Sequence, residues 1–233
     1  MTRRRAVALV ATLALGTLAA GCGDDEEAGR RNLAALVDEA PTTTDEPSTT
    51  PDADAEDQAE AEVEGAPSTA DVEVSGEPLA FLFDGDDPAI GETAPELAGT
   101  SLTGEPMEIR HDGTPRIVVF VAHWCPHCQA EVPVVVDWLG DGGLPDDVEL
   151  VAVSTAVDEA RDNFPPAEWL EREGWAVPTL VDTEDGAAHL AYGAGGFPYF
   201  VVLDGDGRVV LRSAGERSPD GLDELVELAR DGA

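Results

Sequence analysis

Apolar and polar positions change rhythm several times along the chain. Arg3, Arg4 and Arg5 precede an apolar run from Ala6 to Ala20. From Gly23 to about Ser75 aromatics are scarce, and Asp, Glu, Ala, Pro and Thr dominate. Such a segment cannot bury enough apolar surface to offset the entropy of ordering. Patterning then returns. "GETAPELAGTSLTGEPMEI" (residues 91–109) sets turn residues between short apolar stretches, which predicts a β-hairpin. "PRIVVFVAHW" (115–124) is a continuous Val-rich run of the length of a buried central strand.

"CPHCQAEVPVVVDWL" (125–139) reads as a helix, with Pro126 in the first turn and a kink expected at Pro133. "VELVAVST" (148–155) is a second buried strand, "PPAEWLEREG" (165–174) a short helix closed by Gly174, and "VPTLVD" (177–182) a third strand. A short helix over 185–193 and a hairpin with strands 199–203 and 209–213 follow. "SPDGLDELVELAR" (218–230) is an amphipathic helix burying Leu222, Leu225, Val226 and Leu228 or Ala229. This order fits an α/β fold with a central mixed sheet flanked by helices.

Composition adds three constraints. With 233 residues, one or two domains are expected. The chain carries 49 acidic against 13 basic residues, a formal net charge of −36, and all the basic residues are arginines. A chain this acidic has no basic patch for nucleic acid. Between residues 23 and 75 alone there are 17 acidic and 2 basic residues. As a flexible chain that stretch spans roughly 40 Å, and self-repulsion extends it further.

The N-terminal pattern reads as an export signal. Its 15-residue apolar run is short for a membrane-spanning helix, which needs about 20 residues. "LAAGC" (residues 18–22) resembles a bacterial lipoprotein signal, although Ala19 stands where that family usually has Leu. The resemblance implies cleavage before Cys22 and lipidation of its thiol, with an uncleaved anchor as the alternative. The expected organisation is therefore a signal over 1–22, a disordered acidic linker over 23–87 and a folded domain over 88–233. The expected location is the extracytoplasmic side of the cell membrane, held by a lipid anchor.

Cys22, Cys125 and Cys128 are the three cysteines, too few for a disulfide scaffold. Cys125 and Cys128 form a C-x-x-C pair at a strand-to-helix junction. There the helix N-terminus favours an anion, and a thiol pKa of about 8.5 can fall to roughly 3.5–7.5. Cys125 is then the nucleophile, and Cys128, one turn on, resolves the mixed disulfide. A bridge closing so small a ring would stabilise little. His127, between the two, favours the thiolate if protonated, and Pro126 shapes the turn. A zinc site of this type usually needs a second C-x-x-C or two more histidines. His111 and His189 are remote in sequence, and no resident metal or cofactor is expected. Copper(I) held by the two sulfurs and His123 is the alternative from another functional class.

"GETAPEL", "VVFVAHWCPHCQAEVP" and "GGFPYFVVLDGDGRVV" together resemble the thioredoxin superfamily. More narrowly, the chain is similar to the membrane-tethered TlpA/ResA-like branch of extracytoplasmic thiol–disulfide oxidoreductases. The resemblance spans about residues 88 to 233. It implies a thioredoxin-like fold with an added N-terminal β-hairpin and a cis peptide at Pro198 beside the cysteine pair. It implies that Phe197, Pro198, Trp124 and Pro126 contact the substrate chain. It also implies that Glu131 affects thiol acidity and proton transfer. Thioredoxins carry a buried Asp six residues before the first Cys, where this chain has Val119.

The implied partners are exported thiol or disulfide proteins and a membrane electron donor or acceptor. The reductive version serves cytochrome c maturation, for example. Pro-His between the cysteines resembles oxidising enzymes that install disulfides, so the direction stays open. "GETAPEL" also resembles the start of the peroxiredoxins, but Ala122 stands where their peroxidatic sites usually carry Thr.

Overall fold

The computed structural model describes residues 65–81 and 85–232. The expected signal, Cys22 and the acidic segment up to residue 64 lie outside the described residues. Strands β1 (Glu73–Ser75), β2 (Glu96–Thr100) and β3 (Pro106–Ile109) form an antiparallel sheet in that order. Next come β4 (Arg116–Val121), α1 (Pro126–Gly140), β5 (Glu149–Ser154), α2 (Pro166–Arg172), β6 (Thr179–Val181) and α3 (Ala187–Ala191). Strands β7 (Tyr199–Leu203) and β8 (Val209–Ala214) and helix α4 (Pro219–Asp231) complete the described chain.

The second sheet has the order β6-β5-β4-β7-β8. Strands β4, β5 and β6 run parallel, whereas β4/β7 and β7/β8 are antiparallel. All six residues of β4 are buried, as its continuous apolar run requires. Alternate residues serve opposite faces. Ile117, Val119 and Val121 pack with Val132, Val135 and Trp138 of α1, Trp169 and Leu170 of α2, and Leu222, Leu225, Val226 and Ala229 of α4. Val118 and Phe120 pack with Ala188 and Ala191 of α3 and with Leu97 and Ile109 of the small sheet.

The structure extends the expected N-terminal part. The expected hairpin is β2–β3, and β1 adds a third strand along the free edge of β2. The chain therefore engages the fold well before residue 88. Leu79 is buried and donates its N–H to the Ala191 carbonyl at 2.8 Å, while Asp87 accepts from Arg212 Nε at 2.9 Å. Average composition hid this, because a short strand on an existing edge is held by main-chain hydrogen bonds and a few apolar side chains. Val72 and Val74 supply those contacts. In α4 the fourth buried position is Ala229, whereas Leu228 is exposed.

Candidate active site

From Val121 the chain turns through Ala122, His123 and Trp124 into α1. Cys125 is the N-cap of that helix, in extended conformation (φ −76°, ψ 121°), and Pro126 opens the first turn. No acidic side chain lies in that turn. Free N–H groups and the positive end of the helix dipole thus lie at the Cys125 end. Both cysteines are free thiols, Cys125 with 7% of its surface exposed and Cys128 with none. Cys125 Sγ–H donates to the Phe197 carbonyl at 3.3 Å, and the Phe197–Pro198 peptide is cis, as the resemblance implies. Strand β7 starts immediately after this peptide. Its pairing with β4 brings residues some seventy positions apart to one place.

Cys128 Sγ accepts the Ala122 N–H at 3.4 Å. Burial pushes the Cys128 thiol well up, and the neighbouring Cys125 sulfur and the Glu131 charge add to this. Glu131, one turn on, is buried, with Oε2 accepting the Arg217 N–H at 2.7 Å. Its Oε1 has no hydrogen-bond partner among the described residues. Burial raises the Glu131 carboxyl to about 7, against the opposing pull of the Arg217 N–H, and the Glu216 charge pushes the same way as burial. Val119, in the place of the thioredoxin Asp, is fully buried between Ala152 and Phe200, so β4 contributes no carboxylate.

The other expected residues cluster around the same helix start. His127 is exposed, and its Nδ1 lies 2.6 Å from Glu216 Oε1. The β8–α4 loop therefore grips α1 twice, through Glu216 to His127 and through Arg217 to Glu131. Trp124 is partly exposed; its Nε1–H donates to the Ala156 carbonyl at 2.6 Å, and the Arg161 guanidinium lies 4.8 Å from its ring centroid. Pro126 is exposed, Phe197 is partly exposed and Pro198 is buried.

Two histidines have partners that the sequence did not disclose. His123 is buried, with Nδ1 2.7 Å from the Asp162 carbonyl and Nε2 accepting the Asp158 N–H at 3.2 Å. Both ring nitrogens thus hold the loop after β5, and neither is spare for a metal. Among the described residues no group of three or more His, Cys, Asp or Glu is placed to hold a metal ion. His189, remote in sequence, meets Phe197 edge-on with ring centroids 5.5 Å apart. It also bonds Thr155 Oγ1 at 2.8 Å, and Thr155 bonds the buried Asp182 at 2.6 Å. The legible signal was two apolar strands, β5 and β6, each followed at once by a polar residue, Thr155 and Asp182.

The Redoxin family model matches residues 89–227. Nucleoredoxin of Bos taurus is 30% identical over 98 residues, which is 41% of this chain and 21% of that protein. The thiol:disulfide interchange protein HelX of Rhodobacter capsulatus is 27% identical over 117 residues, 50% of this chain and 61% of HelX. The chain thus spans about a fifth of the length of nucleoredoxin. The crystal structure of a thioredoxin-family thiol:disulfide interchange protein from Chlorobium tepidum superposes with a TM-score of 0.50. It is 23% identical and covers 63% of this chain and 99% of that one. That likeness shows the fold, which is thioredoxin-like, with the three-stranded sheet added at the N-terminal side.

Proposed function

The chain belongs to the Redoxin family, and from that premise we propose that it is a thiol–disulfide oxidoreductase working through Cys125 and Cys128. One observation carries the reading: Cys125 Sγ sits on the N-cap of α1 and against the carbonyl that precedes cis Pro198, with a second thiol one turn behind it. The Cys125 thiolate attacks one sulfur of a substrate disulfide. The substrate S–S bond breaks, a Cys125–substrate disulfide forms, and the departing thiolate takes a proton. Cys128 then loses its proton and attacks Cys125 Sγ. The Cys125–Cys128 disulfide forms and the second substrate thiol leaves. Two electrons pass from the protein to the substrate; the reverse sequence installs a disulfide.

The buried Cys128 stays protonated until its turn, and Glu131, raised to about 7, is suited to accept that proton near neutral pH. His127 supports the Cys125 end of the helix, while Trp124, Pro126, Phe197 and Pro198 border the substrate chain. The substrates are exported proteins, with cytochrome c cysteines before haem attachment among them, and a membrane thiol protein exchanges electrons with the pair. The Arg3–Arg5 cluster, the apolar run and "LAAGC" support export and lipidation at Cys22, which would hold the pair outside the cytoplasm on an acidic tether.

The test is trapping. Cys128→Ser accumulates a mixed disulfide between Cys125 and an exported protein on non-reducing gels, and Cys125→Ser abolishes it. No adduct with Cys128→Ser, or an adduct that survives Cys125→Ser, sinks the reading. Titration against glutathione then assigns the direction: about −270 mV marks a reductant like thioredoxin and about −120 mV a strong oxidant. Cys22→Ser moves the protein from membrane to soluble fractions if the thiol carries the lipid.

A further inference from the structure

We propose that His189 is a docking residue for polypeptide substrates, held in place by Thr155 and Asp182; the proposal rests on the thiol–disulfide exchange proposed above. Asp182 is almost wholly buried, and its carboxylate is fully engaged. Oδ1 accepts the N–H groups of Thr183 and Ala188, both at 2.8 Å. Oδ2 accepts the His189 N–H at 3.2 Å and the Thr155 hydroxyl at 2.6 Å. These donors hold the Asp182 carboxyl below its usual range despite burial, so it is an anion that accepts only. The Thr155 proton is therefore spent on Asp182, and Thr155 Oγ1 must accept from the His189 Nδ1–H at 2.8 Å. The same nitrogen lies 3.4 Å from Asp182 Oδ2. This order of donors fixes a proton on Nδ1.

The ring is also placed sterically. It lies over Gly186, where a Cβ would stand 2.0 Å from His189 Cε1, and its edge meets the Phe197 ring. Nε2 is left as the ring atom without a hydrogen-bond partner among the described residues, on a side chain that is 16% exposed. Phe197 links this imidazole to the thiol, because its carbonyl takes the Cys125 Sγ–H. A chain laid across Phe197 and Pro198 toward Cys125 passes the imidazole. With the ring proton held on Nδ1, Nε2 presents its lone pair as a hydrogen-bond acceptor. The matching group is an N–H of the substrate main chain beside its reactive cysteine. Small disulfides have no main chain to align such an N–H with the ring.

The test uses single-turnover kinetics of the reduced protein, read by tryptophan fluorescence, with two substrates in excess. One is a short peptide closed by a disulfide and the other is hydroxyethyl disulfide. The readout is the half-saturating concentration and the limiting rate for each. His189→Ala raises the half-saturating concentration for the peptide about fivefold relative to hydroxyethyl disulfide, as expected for one lost hydrogen bond. His189→Gln, whose side-chain oxygen keeps an acceptor near the Nε2 position, recovers part of the ratio. Thr155→Val, which leaves the backbone N–H bonds to Asp182 in place, raises the ratio by about threefold through a misplaced ring.

An unchanged ratio in His189→Ala, or equal losses on both substrates, overturns the docking role and leaves His189 as packing. Should the wild-type protein exchange with neither substrate, the underlying thiol–disulfide reading fails and the docking role falls with it. The two failures are therefore distinct.

Discussion

The two faces of the central sheet are built by different physics. On one, α1, α2 and α4 lay long apolar stripes over Ile117, Val119 and Val121. On the other, a five-residue helix and strands of three to five residues cover Val118 and Phe120. Elements that short bury little apolar surface each, and buried charge knits them together. Arg212, with a fully buried side chain, bonds Asp87 and the Tyr192 carbonyl. Arg116 bonds Glu149 and the Arg110 carbonyl, and Asp182 gathers the start of α3. The helical face carries Glu131 as its buried charge, close to the thiols. Apolar stripes thus build a platform for the cysteines, whereas the polar face helps position the Phe197–Pro198 segment against Cys125.

The largest effects separate the two mechanisms. Trp169→Ala, on the helical face, removes a side chain that is 1% exposed and should cost about 3–5 kcal/mol in urea unfolding followed by far-UV circular dichroism. That loss should stay level with pH, because no charge is involved. Asp87→Ala, on the other face, leaves Arg212 buried without its carboxylate and should cost about 3 kcal/mol at pH 7. The hydrogen bond from Arg212 holds the Asp87 carboxyl below its ordinary 3.8. A depressed acid contributes stability above its ordinary value and loses it as pH falls through its folded one. The gap between wild type and Asp87→Ala therefore narrows below about pH 4. A gap that stays constant with pH would mean Asp87 acts by packing alone.

This contrast also explains what the sequence disclosed. Period and run length marked β4, α1 and α4, because each buries a long stripe. The C-x-x-C pair was legible from its place after β4, and Phe197–Pro198 and Glu131 from their spacing within the resemblance. Asp87 was assigned to the linker, since its partner Arg212 lies 125 positions away and local composition cannot report a distant cation. His189 was set aside for the same reason. Its tie to the site runs through Thr155 and Phe197, contacts that exist only once β5, β6 and β7 share a sheet. Glu216 and Arg217 stayed silent too, being loop residues identified by what they grip on α1.

Glu131 is where the helical face departs from its own rule, and replacing it should give the smallest and most diagnostic change. Its folded carboxyl sits at about 7 against an ordinary 4.5. A raised acid favours its neutral form in the folded state, so its contribution is intact below pH 4.5 and is lost as pH climbs through about 7. Glu131→Gln keeps an acceptor for the Arg217 N–H but cannot ionise. The variant should match wild type near pH 4.5 and exceed it at pH 8 by about 1–2 kcal/mol, less than the full shift implies because solvent screens the Glu216 side. Release of the mixed disulfide should move oppositely. Without a proton acceptor near Cys128 it slows by about 10²-fold at pH 8 and loses its rise through neutral pH. A variant both more stable and slower would show that the buried carboxylate serves chemistry at the expense of the fold. One that is more stable yet equally fast would remove Glu131 from the reaction and leave it a structural residue of the helical face.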